Sequence, residues 1–264
     1  MSRHPGHEHV VADFHPAKAG LPLPAVADEL AMVEERLPFT VRVVHSAGDL
    51  SKAVKIRQAA YARHLPGLAA TMHVPELTDF DSDVVVLLAE SKLDGSPLGT
   101  ARIQVNAHKP LSVEQSVTLP DWLQGKRLAE VTRLGIGEGR IGFLVKIALI
   151  KACFEYCEKN GIEWAVVAGR APIDRQYEQL LFQDLFPGQG FIPMRHAGDI
   201  PHRVMAFEIA SGQARWKAAK HPLLKFFKET RHADIDVTRR AETFDDADVV
   251  IAQNFKETEE ALVA

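Results

Sequence analysis

Leu128 to Ile136, LAEVTRLGI, reads as a strand of the core, yet it carries two charges, Glu130 and Arg133. An ionised carboxylate among apolar neighbours is costly unless it is paired or put to use. Strict alternation places Glu130 and Arg133 on opposite faces of the strand. They share a face only if a bulge intervenes between them. The stretch is therefore the candidate active-site strand, and the rest of the chain is read outward from it.

Downstream come Gly135, Gly137, Gly139 and Gly142, and then FLVKIALIKACFEYCEK at 143–159, a predicted helix ended by Asn160-Gly161. Gly137, Gly139 and Gly142 have the G-x-G-x-x-G spacing of a dinucleotide loop. The next predicted strand, EWAVVAG at 163–169, is followed by Arg170 and not by the acid such a site needs. A pantetheine or pyrophosphate arm lying across this helix N-terminus is the reading kept. Leu134, Gly135, Ile136, Arg140 and Gly142 are its candidate residues.

Upstream, VVVLLAE (84–90) and GTARIQV (99–105) flank Asp94-Gly95 and predict a hairpin. Alternation puts Thr100, Arg102 and Gln104 on one face of its second strand. TVRVVH (40–45) predicts a first strand, and 49–64 a helix capped by Asp49 or Ser51. Its apolar stripe is Leu50, Ala53, Val54, Ala60 and Tyr61, with Arg57 on the same stripe. That arginine either snorkels at the stripe's edge or points into a polar cleft. The connection 64–83 carries Glu76, Asp79, Asp81 and Asp83. Connections of this length are often functional. DRQYEQLLFQDL from Asp174 predicts another helix, and 190–194 and 204–209 predict the last strands.

Strands, helix, strand, helix and strand in this order predict a mixed α/β (α+β) domain. The organisation expected is an N-terminal extension with one helix (1–38, helix at 25–37), a main domain (39–212), a basic aromatic helical segment (213–240) and an acidic tail (241–264). The N-terminal helix packs on the main domain or on a second subunit of a homodimer. Four histidines, His4, His7, His9 and His15, lack the partners that would complete a metal site, so no metal is expected.

The bulk numbers exclude several classes. Of 264 residues, 46% are hydrophobic and 25% charged, and the formal net charge is −4, so no global field attracts nucleic acid. Apolar runs fall short of the roughly 18–20 residues that span a bilayer. The first residues lack the apolar core of a secretory signal. Cys153 and Cys157, four apart in a predicted helix, suit free thiols in a reducing cytoplasm.

Arg57-x-x-x-Tyr61, the acidic loop from Glu76 to Asp83, GTAR at 99–102 and Glu130-Val-Thr-Arg133-Leu, taken in order, resemble the autoinducer (acyl-homoserine-lactone) synthases. They are most similar to the related N-acyl amino acid synthases, and the resemblance covers about 40–210. It implies the GCN5-related acyltransferase fold, with two central strands splayed by a bulge and a pantetheine arm in the gap. It implies transfer of a fatty acyl group from acyl carrier protein, or coenzyme A, to a small amine such as an amino acid. Acyl-phosphopantetheine or acyl-CoA is then a substrate, with no tightly bound cofactor. Glu130 would take the amine proton; Arg57, Tyr61, Arg102, Arg133 and the acidic loop (Asp79, Asp81 and Asp83) would surround the acceptor. The coenzyme A loop of acetyltransferases, Gln/Arg-x-x-Gly-x-Gly/Ala, is not cleanly present near Arg140, which favours a carrier-protein donor. A synthase using S-adenosylmethionine and a non-catalytic acyl- or nucleotide-binding module stay open as alternatives. The basic stretch 215–231, with Lys126, Arg127, Arg140 and Lys146, is the candidate surface for an acidic carrier protein. Peripheral contact with a membrane surface is a further option for it.

Overall fold

The apolar alternation of the middle of the chain builds a mixed sheet with a helix on each face. The computed structural model describes residues 32–240 together with Phe244, Val249, Val250 and Gln253. The unit described is Val33–Ala264. Its strands are β1 (Val33–Glu35), β2 (Phe39–Val43), β3 (Val84–Ser91), β4 (Pro97–Val105), β5 (Leu128–Ile136), β6 (Trp164–Gly169), β7 (Gln183–Asp184), β8 (Ile192–Met194), β9 (Ile200–Glu208), β10 (Thr230–His232) and β11 (Ile235–Asp236). The helices are α1 (Ala47–Ala62), α2 (Pro66–Ala70), α3 (Gly142–Lys159), α4 (Asp174–Gln179) and α5 (Gly212–Ala218). The main sheet runs β11-β2-β3-β4-β5-β6-β9-β7, with β8 on β9. β2 to β5 are antiparallel neighbours, β5 and β6 are parallel, and β6 and β9 antiparallel.

One face carries Phe39, Val41, Leu87, Ala101, Ile103, Ala129, Val167 and Phe207, packed on the buried side of α3. Phe154 of α3 meets Phe182, Phe207, Trp216 and Phe227 with ring centroids 5.0–6.2 Å apart. Aromatic pairs of this kind add about 0.5–1.5 kcal/mol each beyond their area. The opposite face is covered by α1 through Leu50, Ala53 and Val54. The connection between β4 and β5 covers the rest of it through Leu111, Val113, Leu119 and Leu123. On this second face lie the polar residues of the two central strands, Thr100, Arg102 and Gln104 paired with Gly135, Thr132 and Glu130.

Several expectations need correction. The helix predicted over 25–37 falls mostly outside the described residues, and its last part, Val33–Glu35, is a strand paired in parallel with β10. Helix α1 is capped by the Ser46 side chain, which accepts from the Asp49 N–H; Asp49 instead accepts a bidentate pair from Arg42. The predicted helix after Asp174 stops at Gln179, because Leu181 adopts a left-handed φ of 69° and Gln183–Asp184 pair with β9. The stretch 213–240 holds α5, a π-turn (Lys225–Glu229) and the two strands β10 and β11. Trp216 and Phe227 of this basic stretch lie in the main core. The Lys151 ammonium, on the buried face of α3, donates to the Phe226 and Thr230 carbonyls at 2.9 and 2.5 Å and ties the stretch down. The four N-terminal histidines and most of the acidic tail lie outside the described residues.

Candidate active site

The central strand is bulged where its two charges require it. Thr100 pairs with Gly135 and Arg102 with Thr132, so Ala101 alone stands opposite both Arg133 and Leu134. Arg133 takes the extra place with a left-handed φ of 54°. That conformation costs a non-glycine residue on the order of 1 kcal/mol or more and persists where the surroundings over-determine it. The guanidinium is held by three hydrogen bonds to two partners: its Nε and Nη2 donate to Glu76 at 2.8 and 2.6 Å, and Nη2 donates to the His196 carbonyl at 3.1 Å.

Glu76 is the hub of a buried ionic network. Arg57 donates to Glu76 (2.8 Å) and to both carboxylate oxygens of Asp79 (2.9 and 3.0 Å). Arg102 donates to Glu76 (3.0 Å), Asp79 (3.3 Å) and the Thr132 hydroxyl (3.2 Å). The Asp79 carboxylate also accepts the Glu76 backbone N–H at 2.9 Å. Arg57 and Asp79 are completely buried. Burial alone would raise both acids, but Arg102, Arg133 and Arg57 hold Glu76 well below the usual carboxylate range, and Arg57 and Arg102 do the same for Asp79. Arg133 is raised: Glu76 outweighs the cost of burying the guanidinium. Three cations against two anions leave the network one positive charge in excess.

The other two acids of the loop do not join it. Asp81 pairs with Lys109 at 2.6 Å, and Asp83 accepts from the His108 backbone at 2.8 Å and lies 2.5 Å from its ring. Arg57 is thus no snorkelling residue but points from α1 into the cluster. It can do so because Gly135 lets α1 approach: a Cβ there would stand 3.2 Å from Ala60 Cβ and 3.3 Å from Arg57 Cα.

Glu130 lies beyond the network on the same strand face. It is fully buried; Oε2 accepts the Val113 N–H at 3.0 Å, and Oε1 has no hydrogen-bond partner among the described residues. Burial pushes its pKa up to about 7, against the pull of the Val113 N–H and of Arg102 and Arg133. Its Oε1 is 3.6 Å from Nε2 of His196. Burial and then Arg133 lower His196 to about 4, so at neutral pH the imidazole is uncharged.

Past Val131 and Val167 the registered pairing of β5 and β6 ends, and the strands diverge. A cavity of about 280 Å³ opens in the fork. Tyr61, Thr132, Arg133, Leu134, Ile136 and His196 lie on its wall. Arg63, Lys146 and Arg170 add positive charge there, and among the described residues no Asp or Glu lies on that wall. Val131, Leu134 and Tyr177 are shared with a narrow apolar pocket that continues under α3, between Ile150, Cys153, Phe154 and Cys157. The two free thiols are buried, and desolvation pushes Cys157 up to about 12, so they act as apolar wall.

Of the residues predicted as donor-binding, Leu134 and Ile136 line this cavity. Gly135 instead faces α1. Gly142 begins α3, and Arg140 is exposed one residue before its cap. Glu76 as hub and His196 beside Glu130 are the residues sequence reasoning missed. Glu76 stood among four acids of one loop, and nothing around Arg195-His196-Ala197 marks that histidine. Among the described residues no group of three or more His, Cys, Asp or Glu side chains is placed to hold a metal ion. Among them, too, no helix is long and apolar enough to cross a membrane.

No protein-family model and no curated protein sequence matches this chain. Solved structures do. FeeM, an N-acyl amino acid synthase from uncultured soil microbes, aligns at a TM-score of 0.53 and 14% identity, over 71% of this chain and 96% of its own. BjaI, a coenzyme A-dependent acyl-homoserine lactone synthase, aligns at 0.48 and 14%, over 82% of this chain and 99% of its own. The mixed sheet, the fork between its central strands and the match to FeeM together give this chain the GCN5-related N-acyltransferase fold.

Proposed function

We propose that the protein is an N-acyltransferase that moves a fatty acyl group from a thioester to the amine of an amino acid or similar small acceptor. The observation that carries this is the fork: a cationic cavity between β5 and β6 that narrows into a wholly apolar pocket under α3. A thioester donor has that character, with a polar pantetheine arm, a reacting carbonyl and an alkyl chain.

A thioester is already activated, so the enzyme must mainly orient a neutral amine and stabilise an oxyanion. In this reading the pantetheine arm lies in the fork along Leu134 and Ile136, with the N-terminus of α3 and Arg140 nearest its phosphate end. The alkyl chain enters between Val131, Leu134 and Tyr177 and runs toward Cys153. A β5 backbone N–H past Val131 holds the thioester oxygen. The amine attacks, the C–N bond forms, the C–S bond breaks, and the thiolate leaves. Glu130, with a pKa about 7, is matched to accept the amine proton near neutral pH. Arg57, Arg102 and Arg133 are spent on Glu76 and Asp79, so they fix the shape of the acceptor end rather than bind its carboxylate directly. Arg63, Lys146 and Arg170 on the wall are the groups for an acceptor carboxylate.

The test is product formation. Purified protein is mixed with long-chain acyl-CoA, or with acyl-loaded carrier protein, and an amino acid pool, and N-acyl products are sought by mass spectrometry. Transfer from carrier protein alone identifies that protein as donor and partner. Release of methylthioadenosine from S-adenosylmethionine would make the acceptor that nucleotide instead. No transfer from either donor overturns the reading.

A further inference from the structure

Glu130 does not reach the cavity it is expected to serve. Its carboxylate is fully buried and forms no part of the cavity wall. Between the two stands His196, from the single 3₁₀ turn after β8. The imidazole lines the cavity, and its Nε2 is 3.6 Å from Glu130 Oε1. Glu130 Oε1 and His196 Nδ1 are both buried without a hydrogen-bond partner among the described residues. Buried polar atoms are nearly always satisfied, and two neighbouring side chains that each carry an unsatisfied atom, on a residue that lines a cavity and on the acid behind it, mark a functional pair rather than packing residues. A separation slightly beyond hydrogen-bond length is ordinary for a ligand-free catalytic pair, which tightens when substrate is bound. The backbone fixes the histidine independently of its ring, since the His196 carbonyl accepts from Arg133 at 3.1 Å.

We propose that His196 carries the proton of the acceptor amine from the cavity to Glu130. The inference rests on the acyltransferase reading and deepens it. As the amine nitrogen bonds to the thioester carbon, its N–H bond breaks and an imidazole N–H forms. The imidazole then passes a proton from Nε2 to Glu130 Oε1. The C–S electron pair leaves on sulfur, and the proton held by Glu130 returns through the imidazole to that thiolate, which restores the starting tautomer of the ring and balances the charge. The groups facing the pair explain the direction of transfer. Burial of the ring first, then Arg133 from β5, His202 from β9 and Arg102 from β4 oppose a charge on the imidazole, while the Ser112 backbone favours it. A proton delivered to the pair therefore settles on the carboxylate and leaves the imidazole neutral for the next turnover.

The test compares wild type, His196→Gln and His196→Ala for thiol release from dodecanoyl-CoA and dodecanoyl-carrier protein with amino acids present. Expected are a fall in kcat of about 100-fold or more for both variants, a donor KM within about threefold of wild type, and partial recovery of His196→Ala by added imidazole. A 13C titration of the Glu130 carboxylate that moves in His196→Gln supports the coupling without reference to activity, and thermal melts of both variants control for folding. An active wild type with folded His196→Gln within about threefold of its kcat overturns the inference and leaves the acyltransferase reading standing. A wild type that transfers no acyl group from either donor overturns the reading, and the inference falls with it.

Discussion

Glu130, fully buried, and Glu76, partly buried, lie on one side of the sheet and respond to pH in opposite senses. Glu130 keeps its proton up to about 7 in the folded chain, against the usual 4.5. The native state then binds more protons than the unfolded chain across that window, so its contribution falls as pH rises from about 4.5 to 7, by about 3 kcal/mol in all. Glu130→Gln retains an acceptor for the Val113 N–H and carries no charge. We expect it to melt higher than wild type at pH 8 and nearly level with it at pH 4.5, while turnover falls strongly; calorimetry at the two pH values decides this. Glu76 and Asp79 are held low by Arg57, Arg102 and Arg133, so their stabilisation is present above the unfolded carboxylate range and is lost as pH falls below it. Glu76→Ala strands three buried or nearly buried guanidinium groups beside a single carboxylate. We expect it to cost about 3–5 kcal/mol by urea unfolding at neutral pH, with the deficit to wild type shrinking as pH falls below the carboxylate range. The charges that break an apolar pattern, Arg57, Arg102, Glu130 and Arg133, were legible in the sequence because burial makes them anomalous. Glu76 and His196 were not. They sit in connections without periodicity, and their partners are 57 and 66 residues away in the chain, so only the fold could choose them from neighbours of the same type.

The helices hold these side chains in place through close approaches that can be tested singly. Gly135→Ala puts a methyl 3.3 Å from Arg57 Cα and 3.2 Å from Ala60 Cβ. Backbone cannot yield as a flexible side chain can, so α1 must shift. We expect a loss of about 1–3 kcal/mol and a larger fractional loss of turnover than of stability, because Arg57 moves with the helix. In α3, Cys153→Phe fills the apolar pocket where it leaves the fork. Mass spectrometry of products from mixed acyl donors should then show a shift to shorter chains, with the ratio of products, not only the total, altered. The existence of α1, α3 and the β3–β4 hairpin followed from apolar period and turn chemistry. The early stop of α4 and the strand at Val33–Glu35 did not, since both depend on pairing with distant segments, β9 and β10.

At the scale of the molecule, the end of the described chain belongs to the beginning of the sheet. β11 pairs in parallel with β2, and β10 with β1. Lys151 anchors this closure from the middle of α3, with its ammonium on two backbone carbonyls and 2.9 Å from the His232 ring. Lys151→Met keeps the packing and leaves those carbonyls unpaired. We expect it to cost about 2–4 kcal/mol and to raise hydrogen exchange first at 226–236, read by mass spectrometry. The basic stretch that suggested a docking surface is thus partly interior: Arg215 donates to the Leu181 carbonyl and Lys228 pairs with Glu158, whereas Lys217, Lys220 and Lys225 face outward. The bulge at Arg133 has its own consequence for how this protein can vary. It sets the two halves of β5 in antiphase: Glu130 and Thr132 lie on the α1 side of the sheet from even positions, and Gly135 lies there from an odd one. Were the same residues paired without the bulge, Leu134 would stand opposite Thr100 in the place of Gly135, where even a methyl group is crowded, and the cavity wall would be exchanged for the helix contact in one step. The strand can change its side chains, but the bulge must stay at this point.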